Sequence, residues 1–104
     1  MAEAVQNKTV SPQELVEASI REAERTNPKI NAIVSQRYEK ALKEAETRDF
    51  SERPFAGVPI FLKDLGQEQA GEPSTAGSRL FTSYRAAETD NYVKKLEELG
   101  FIIL

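Results

Sequence analysis

The sequence of 104 residues contains no cysteine and no histidine. Within this chain, this excludes a disulfide, a zinc site built from Cys and His, and a catalytic centre of the Cys-His or Ser-His-Asp type. Serine, threonine, tyrosine, lysine and the carboxylates remain as the side chains that can carry chemistry. We expect no cofactor and no metal, because no residue pattern typical of either is present.

Long hydrophobic runs and an excess of positive charge are also missing. The chain has nothing close to the roughly 18 consecutive apolar residues of a membrane helix, and its N-terminus lacks the pattern of a secretory signal. We therefore expect a soluble, cytoplasmic protein with no membrane partner. Fourteen Lys and Arg against 17 Asp and Glu give a net charge of -3, so no nucleic-acid partner is expected either. The length and the 39% hydrophobic content fit one globular domain.

The first predicted helix begins with a strong capping signal. Residues 1–10 are polar and without a period, and we expect them to form a disordered leader. The segment Ser11–Glu14 combines a capping serine, a proline at the first helical position and the glutamate of a capping box, which predicts a helix over 12–25. The helix is expected to end by Asn27, because Pro28 disfavours helical geometry in the residue before it.

A second helix and a buried strand follow. Residues 30–34 are expected to be extended, and apolar residues at helical spacing predict a helix from 35 to 47. The run Val58–Leu62 would be apolar on both faces of a strand, which is typical of a parallel sheet that is covered on two sides. Pro59 must then lie where the ladder needs no amide.

The last part of the chain predicts a crossover. A third helix is expected to begin at Thr89 or Asp90 and to end at Gly100 in left-handed conformation, before an apolar strand over 101–104. The order strand, helix, strand over 58–104 predicts a right-handed parallel connection. The predicted fold class is α/β, with two N-terminal helices and a strand-helix-strand unit that is an incomplete piece of a larger mixed sheet. Because the sequence stops within a buried strand, we expect the natural protein to continue.

Lys63 is the most informative single residue. It is the first charge after five apolar residues and lies at the C-terminal end of the predicted strand, where ligand crevices form in open α/β sheets. A lysine that loses solvation in such a crevice becomes a usable general base near neutral pH. The competing interpretation is that Lys63 extends into solvent beside Asp64, and composition alone favours it.

The loop Gly71–Leu80 is rich in small and hydroxyl-bearing residues. Ser74, Thr75 and Ser78, together with exposed backbone amides, suit the close approach of a polar substrate or an anion. For this segment alone, an ordinary surface loop is an equal alternative. A phosphate-binding loop is excluded, because five residues instead of four lie between Gly71 and Gly77, and a serine, not a lysine, follows the second glycine.

Four segments of the chain resemble the amidase signature family of serine amide hydrolases. They are SPQELVEASIREAERTNPKINAIV (Ser11–Val34), PFAGVPIFLKDL (Pro54–Leu65), STAGS (Ser74–Ser78) and DNYVKKLEELGFIIL (Asp90–Leu104). The pattern Gly-Val-Pro, apolar residues and Lys-Asp is specific when a Thr, Gly, Ser turn follows at this distance. The segment FLKDLG (residues 61–66) is also similar to the corresponding segment of cyclic-oligoamide hydrolases.

The resemblance implies an activity and one site residue. The family hydrolyses carbon–nitrogen amide bonds with a Ser-cisSer-Lys triad, in which the lysine accepts a proton through the bridging serine and the second serine attacks the amide carbon. Lys63 matches the family lysine, whereas both serines and the glycine-rich oxyanion loop would lie beyond residue 104. Residues 11–104 are thus expected to be the N-terminal fragment of a single amidase domain. The parent enzyme would act on a small-molecule amide, and this fragment alone would be inactive.

Two further hypotheses come from the residues themselves. An apolar strand with an unfilled edge is typical of a non-catalytic α/β interaction module that self-associates through its helices and strand edge, which would make the chain a homo-oligomer. An internal dyad of Ser78 and Lys63 is disfavoured, because no oxyanion loop is recognisable in the chain. The sequence does not distinguish one amide substrate from another.

Overall fold

The computed structural model describes residues 1–104 and confirms the α/β fold class. A small parallel sheet is covered by helices, and the helices and strands follow each other in the predicted order from residue 12 onward. The elements are α1 (Ala2–Gln6), α2 (Pro12–Ile30), α3 (Tyr38–Thr47), β1 (Pro59–Ile60), a 3₁₀ helix (Arg79–Phe81), α4 (Asn91–Glu98) and β2 (Ile102–Ile103). None of the helices is both long and apolar enough to cross a bilayer.

The predicted capping box starts α2. The Glu14 amide donates to Ser11 Oγ at 3.1 Å, and the Ser11 amide donates to Glu14 Oε2 at 2.7 Å. Two free amides of the first turn are thereby satisfied. The apolar stripe of the helix faces the core, where Val16 is fully buried.

The predicted end of α2 is wrong. The helix continues through Pro28 to Ile30, and Asn31 ends it in left-handed conformation with φ 49°. Pro28 has no amide to donate to the Glu24 carbonyl, so the helix lacks one hydrogen bond there, and only Lys29 and Ile30 follow before it ends. The Asn27 side chain also fixes the segment after the helix. Its Oδ1 accepts from the Ile33 amide at 2.8 Å, and its Nδ2 donates to the Ile33 carbonyl at 3.0 Å. Residues 32–34 form no strand.

The N-terminal segment differs from the expected disordered leader, since residues 2–6 form α1. None of its residues is buried, and its backbone bonds stay within residues 1–10. The helix is therefore a local structure without a place in the hydrophobic core. The division of the chain into a leader and one domain stays a prediction.

The sheet pairs β1 with β2 in parallel, as predicted, although each strand is shorter than expected. Pro59 lies opposite Ile102 and Ile60 opposite Ile103. The Ile102 amide donates to the Val58 carbonyl, and the Leu104 amide donates to the Ile60 carbonyl, both at 2.9 Å. Neither bond needs an amide from Pro59, which explains how a proline fits in this strand.

The hydrophobic core joins α2, α3 and the end of β2. Its buried members are Val16, Ala41, Ala45, Ile102 and Leu104. Tyr38 and Leu42 also pack against this cluster, so the apolar face predicted for the second helix is confirmed. The core therefore lies on the sheet side from which α2 and α3 approach.

Gly100 ends α4 as the sequence predicts. It has φ 102°, its amide donates to the Glu97 carbonyl at 3.0 Å, and the Phe101 amide donates to the Leu96 carbonyl at 3.1 Å. This is the Schellman arrangement that turns a helix into the following segment. An added Cβ at Gly100 would lie 2.7 Å from Arg53 Cβ and 3.1 Å from the Ala56 amide nitrogen. Close approach as well as backbone geometry therefore requires a glycine here.

Candidate functional site

A cavity of about 470 Å³ opens at the carboxyl ends of the two parallel strands. Its walls come from the segment 32–37 before α3, the segment 61–65 after β1, the loop between Gln67 and Gly77, and the end of β2. Ligand crevices of α/β sheets form at this edge. The volume lies within the range of roughly 300–1,000 Å³ that is typical of small-molecule sites.

Lys63 lies on the wall of this cavity, three residues beyond β1. Its residue is exposed, and it takes part in no ion pair. Its backbone amide donates to Gln67 Oε1 at 2.7 Å, which fixes the chain just after the strand. The amine therefore has no ion-pair partner within the chain. Its catalytic role stays a prediction.

The side chain of Asp64 forms no ion pair with Lys63 and instead binds the loop between Gln67 and Gly77. Its Oδ1 accepts from the Thr75 amide at 2.6 Å, and its Oδ2 accepts from the Thr75 hydroxyl. Partial burial raises the pKa of the Asp64 carboxyl, but hydrogen bonds from the Thr75 side chain and amide, together with the nearby amides of Gly77 and Ala76, lower it by more. The net result is a pKa below the usual value, so Asp64 is a stable carboxylate at neutral pH.

The hydroxyls of the loop serve different purposes. Ser74 lines the cavity, whereas Thr75 donates to Asp64. Ser78 does not line the cavity, and its Oγ accepts from the Leu80 amide at 3.2 Å at the start of the 3₁₀ helix. The expectation that these amides and hydroxyls are free for an external anion is therefore only partly right, because Asp64 of the chain itself occupies the turn.

Arg37 lines the cavity from the start of α3, and no motif in the sequence pointed to it. Its side chain is only 9% exposed and pairs with Glu44 and with Glu72, the latter at 3.4 Å. Lys40 shares Glu72 at 2.5 Å. These ion pairs join the loop to α3 beside the cavity. No sequence signal indicated them, because Arg37 lies inside the helix predicted over 35–47, which in the structure begins only at Tyr38, and charges on helices usually face solvent.

Gln69 was also missed, and it carries a buried acceptor without a partner. Its Nε2 donates to Glu97 Oε1 at 2.7 Å, while its Oε1 is buried and accepts no hydrogen bond. Gln69 is one of the residues that line the cavity. No cluster of acidic side chains in the structure is arranged to hold a metal ion.

The loop is tied to the start of α4 by polar contacts. Asp90 stands at the N-terminus of α4 as predicted, but its side chain does not cap the helix. It accepts from the Glu68 amide at 2.8 Å, and Thr89 Oγ1 accepts from the Ala70 amide at 3.0 Å. Thr89 and Asp90, the two expected capping residues, therefore hold residues 68–70 of the cavity loop.

Comparison with known proteins gives a consistent result. A family model described as Amidase matches residues 14–104. The chain is 39% identical over 104 residues to a lipoamidase of Enterococcus faecalis, covering 100% of this chain and 14% of that protein. It is 36% identical over 105 residues to a 6-aminohexanoate-cyclic-dimer hydrolase of Paenarthrobacter ureafaciens, covering 99% of this chain and 21% of the hydrolase.

The fold is similar as well. A solved structure of a 6-aminohexanoate cyclic dimer hydrolase in complex with substrate has a TM-score of 0.89 to this chain at 36% identity. The similarity covers 99% of this chain and 21% of that one. The chain thus spans between 14% and 21% of the length of these relatives.

Proposed function

Because the chain belongs to the amidase signature family, we propose that it supplies Lys63 to a Ser-cisSer-Lys triad that hydrolyses carbon–nitrogen amide bonds. The observation that carries this proposal is the position of Lys63, on a cavity at the carboxyl ends of two parallel strands. Its amine has no carboxylate partner that would hold it away from the cavity. The similarity of the whole chain to named amide hydrolases supports the reaction class.

The proposed reaction assigns Lys63 the role of proton acceptor. The attacking serine loses its hydroxyl proton through the bridging cis-serine to the Lys63 amine, and its oxygen bonds to the amide carbon. The carbon–nitrogen bond then breaks, the leaving amine takes up the proton, and water hydrolyses the acyl-enzyme. Backbone amides of a glycine-rich loop stabilise the oxyanion. The two serines and that loop are not among the 104 residues, so this chain alone does not hydrolyse amides.

The walls of the cavity favour a small amide as the substrate. Phe61, Leu65 and Leu104 provide apolar surface, and Ser74 and Gln67 are polar residues on the same cavity. Such a mixture suits a ligand with a hydrocarbon body and an amide group. A cyclic amide dimer, the substrate class in the name of one relative, is the probe that we would use first.

A chimera tests the proposal. In the cyclic-dimer hydrolase, the segment that matches this chain is replaced by residues 1–104, and turnover of the cyclic dimer is measured. We expect the chimera to be active and Lys63→Ala to lower kcat by about 10²- to 10⁴-fold, the usual contribution of a positioned acid–base group. Lys43→Ala is the matched control, because Lys43 is an exposed lysine on α3 outside the cavity.

Two results would contradict the proposal. The first is equal kcat in the Lys63→Ala chimera and its parent. The second is covalent acylation of the isolated 104-residue chain by an activated amide or ester, detected as a mass increase, because the proposed nucleophile lies outside this chain.

The alternative is a module that self-associates through its helices and strand edge, and the structure does not favour pairing through the open edge of β2. The Ile102 and Leu104 amides pair with β1, so the carbonyls of Phe101 and Ile103 face the open side of β2. Arg48 donates to the Phe101 carbonyl at 2.9 Å, and Arg37 donates to the Ile103 carbonyl at 2.7 Å. Charged side chains that cover an edge oppose pairing with another strand. Light scattering that finds a concentration-dependent dimer would restore the alternative.

A further inference from the structure

Asp64, the residue after Lys63, makes the most extensive polar contact between the end of β1 and the cavity loop. Both carboxylate oxygens of Asp64 accept hydrogen bonds from Thr75, one from the amide at 2.6 Å and one from the hydroxyl. The amides of Ala76 and Gly77 follow in the same turn and lower the pKa of this carboxyl, although only Thr75 donates hydrogen bonds to it. One side chain therefore holds the first residue of the turn through two hydrogen bonds.

The turn requires such a partner. Ala76 and Gly77 both have positive φ, 48° and 69°. Left-handed geometry is unfavourable for alanine, so other contacts must hold it. Within the turn, the Ser78 amide donates to the Thr75 carbonyl at 2.8 Å. Successive backbone amides in a turn form a concave site for an anion, and here the anion is the Asp64 carboxylate.

The contact also affects Lys63. Ser74, Ala76 and Gly77 line the same cavity as Lys63, and Asp64 joins their turn to the strand end that carries the lysine. Because its oxygens face the turn, Asp64 forms no ion pair with its neighbour. The same contact thus fixes the distance between two walls of the cavity and leaves the amine unpaired.

We propose that Asp64 is a positioning residue that clamps the Thr75–Gly77 turn to the strand end and thereby holds Lys63 and the facing cavity wall in place. The role of the clamp in catalysis rests on the proposed function, whereas the clamp itself does not. The two parts are therefore tested separately, the clamp on the 104-residue chain and the catalytic role on the chimera.

Hydrogen exchange of the isolated chain tests the clamp. In Asp64→Ala we expect the Thr75 amide to exchange about tenfold faster or more, as for the loss of a charge-assisted hydrogen bond, and the amides of Ala76 and Gly77 to exchange faster with it as the turn loosens. Asp64→Asn keeps the size and one acceptor, so it should give a smaller increase and keeps the test valid if the alanine variant unfolds. Asp49→Asn is the matched control, because Asp49 also accepts from a loop amide, that of Ser51 at 2.9 Å, away from the cavity.

Kinetics of the chimera test the positioning role. We expect Asp64→Asn to lower kcat by about tenfold or more while KM changes less than about threefold, because the misplaced group acts in the chemical step. Unchanged exchange in both Asp64 variants would overturn the clamp. Faster exchange with unchanged kcat would overturn the positioning role. Full activity of Lys63→Ala would instead overturn the proposed function and leave the exchange result standing.

Discussion

The two halves of the molecule are held together by different forces. The half built from α2, α3 and β2 shares a core in which Val16, Ala41 and Ile102 are completely buried. The loop region 61–90, in contrast, contains one buried residue, Ala86, and exposes large apolar side chains such as Leu80 at 82%. Burial of apolar surface therefore stabilises the first half and contributes little to the second.

The loop region is ordered by polar contacts instead. Asp64 holds the turn, and Asp90 accepts from the Glu68 amide. The Gly71 amide donates to the Ala86 carbonyl at 2.8 Å, and the Ala86 amide donates to the Glu72 carbonyl at 3.1 Å. Such contacts satisfy the backbone, and each adds only about 0.5–1.5 kcal/mol between neutral groups or about 1.5–3 kcal/mol where a carboxylate accepts. The cavity thus has one wall on the stable core and one wall on a region that is easier to disturb.

Ile102→Ala should have the largest effect, because it removes a fully buried side chain from the first half. We expect the free energy of unfolding to fall by about 2–5 kcal/mol, measured by urea titration with circular dichroism. Leu80→Ala, in the loop region, should change it by less than about 0.5 kcal/mol. Equal losses in the two variants would contradict the contrast between the halves. Ile102→Val, expected to cost about 1 kcal/mol, keeps the comparison measurable if the alanine variant does not fold.

Gly100→Ala should rank second. The change forces alanine into a positive φ and places its Cβ against backbone atoms of residues 55 and 56, so we expect a loss of about 2–3 kcal/mol. Gly66→Ala is the matched control in the loop region. Gly66 has a similar left-handed φ of 68° but open space around it, so only the conformational cost of about 1 kcal/mol remains. A larger loss at Gly66 than at Gly100 would show that close approach is not the deciding factor.

The contrast between the halves also explains which features sequence reasoning could predict. The helix that begins at Ser11, the apolar face of α3, the parallel pairing and the turn at Gly100 all follow from periodicity or local backbone chemistry. The exception is the end of α2, which the sequence predicts before Pro28. Proline disfavours the helical region in the residue before it but does not exclude it, and the helix continues to Ile30.

The cavity was harder to predict. Lys63 was singled out because it follows an apolar strand, which is a local signal. Its neighbour Asp64 binds Thr75, 11 residues later, and Arg37 binds the carbonyl of Ile103, 66 residues later. No period or motif links such pairs, since they depend on where the loop crosses the strand ends. The polar contacts around the cavity could therefore be identified only from the three-dimensional structure.

Ser11→Ala should rank third. It removes the capping oxygen of α2, and we expect a loss of about 1 kcal/mol in the free energy of unfolding. Ser78→Ala removes a comparable oxygen from the start of the exposed 3₁₀ helix, and we expect a loss of a few tenths of a kcal/mol. Chemical denaturation of both variants measures the difference. A larger loss for Ser78→Ala would mean that the loop region contributes more to global stability than its burial indicates.

The smallest predicted effect is the pH dependence that Asp64 contributes. Its pKa in the folded chain lies below the usual 3.8, because hydrogen bonds from the turn outweigh partial burial. A depressed pKa stabilises the fold fully above the unfolded pKa, and the contribution is lost as the pH falls through the folded pKa. The difference in unfolding free energy between the parent and Asp64→Asn should therefore be constant from about pH 7 to 5 and shrink below about pH 4. Urea titrations across this range measure it, and a difference that persists unchanged at about pH 2 would contradict the assigned contacts, because a protonated Asp64 no longer offers two charged acceptors to the turn.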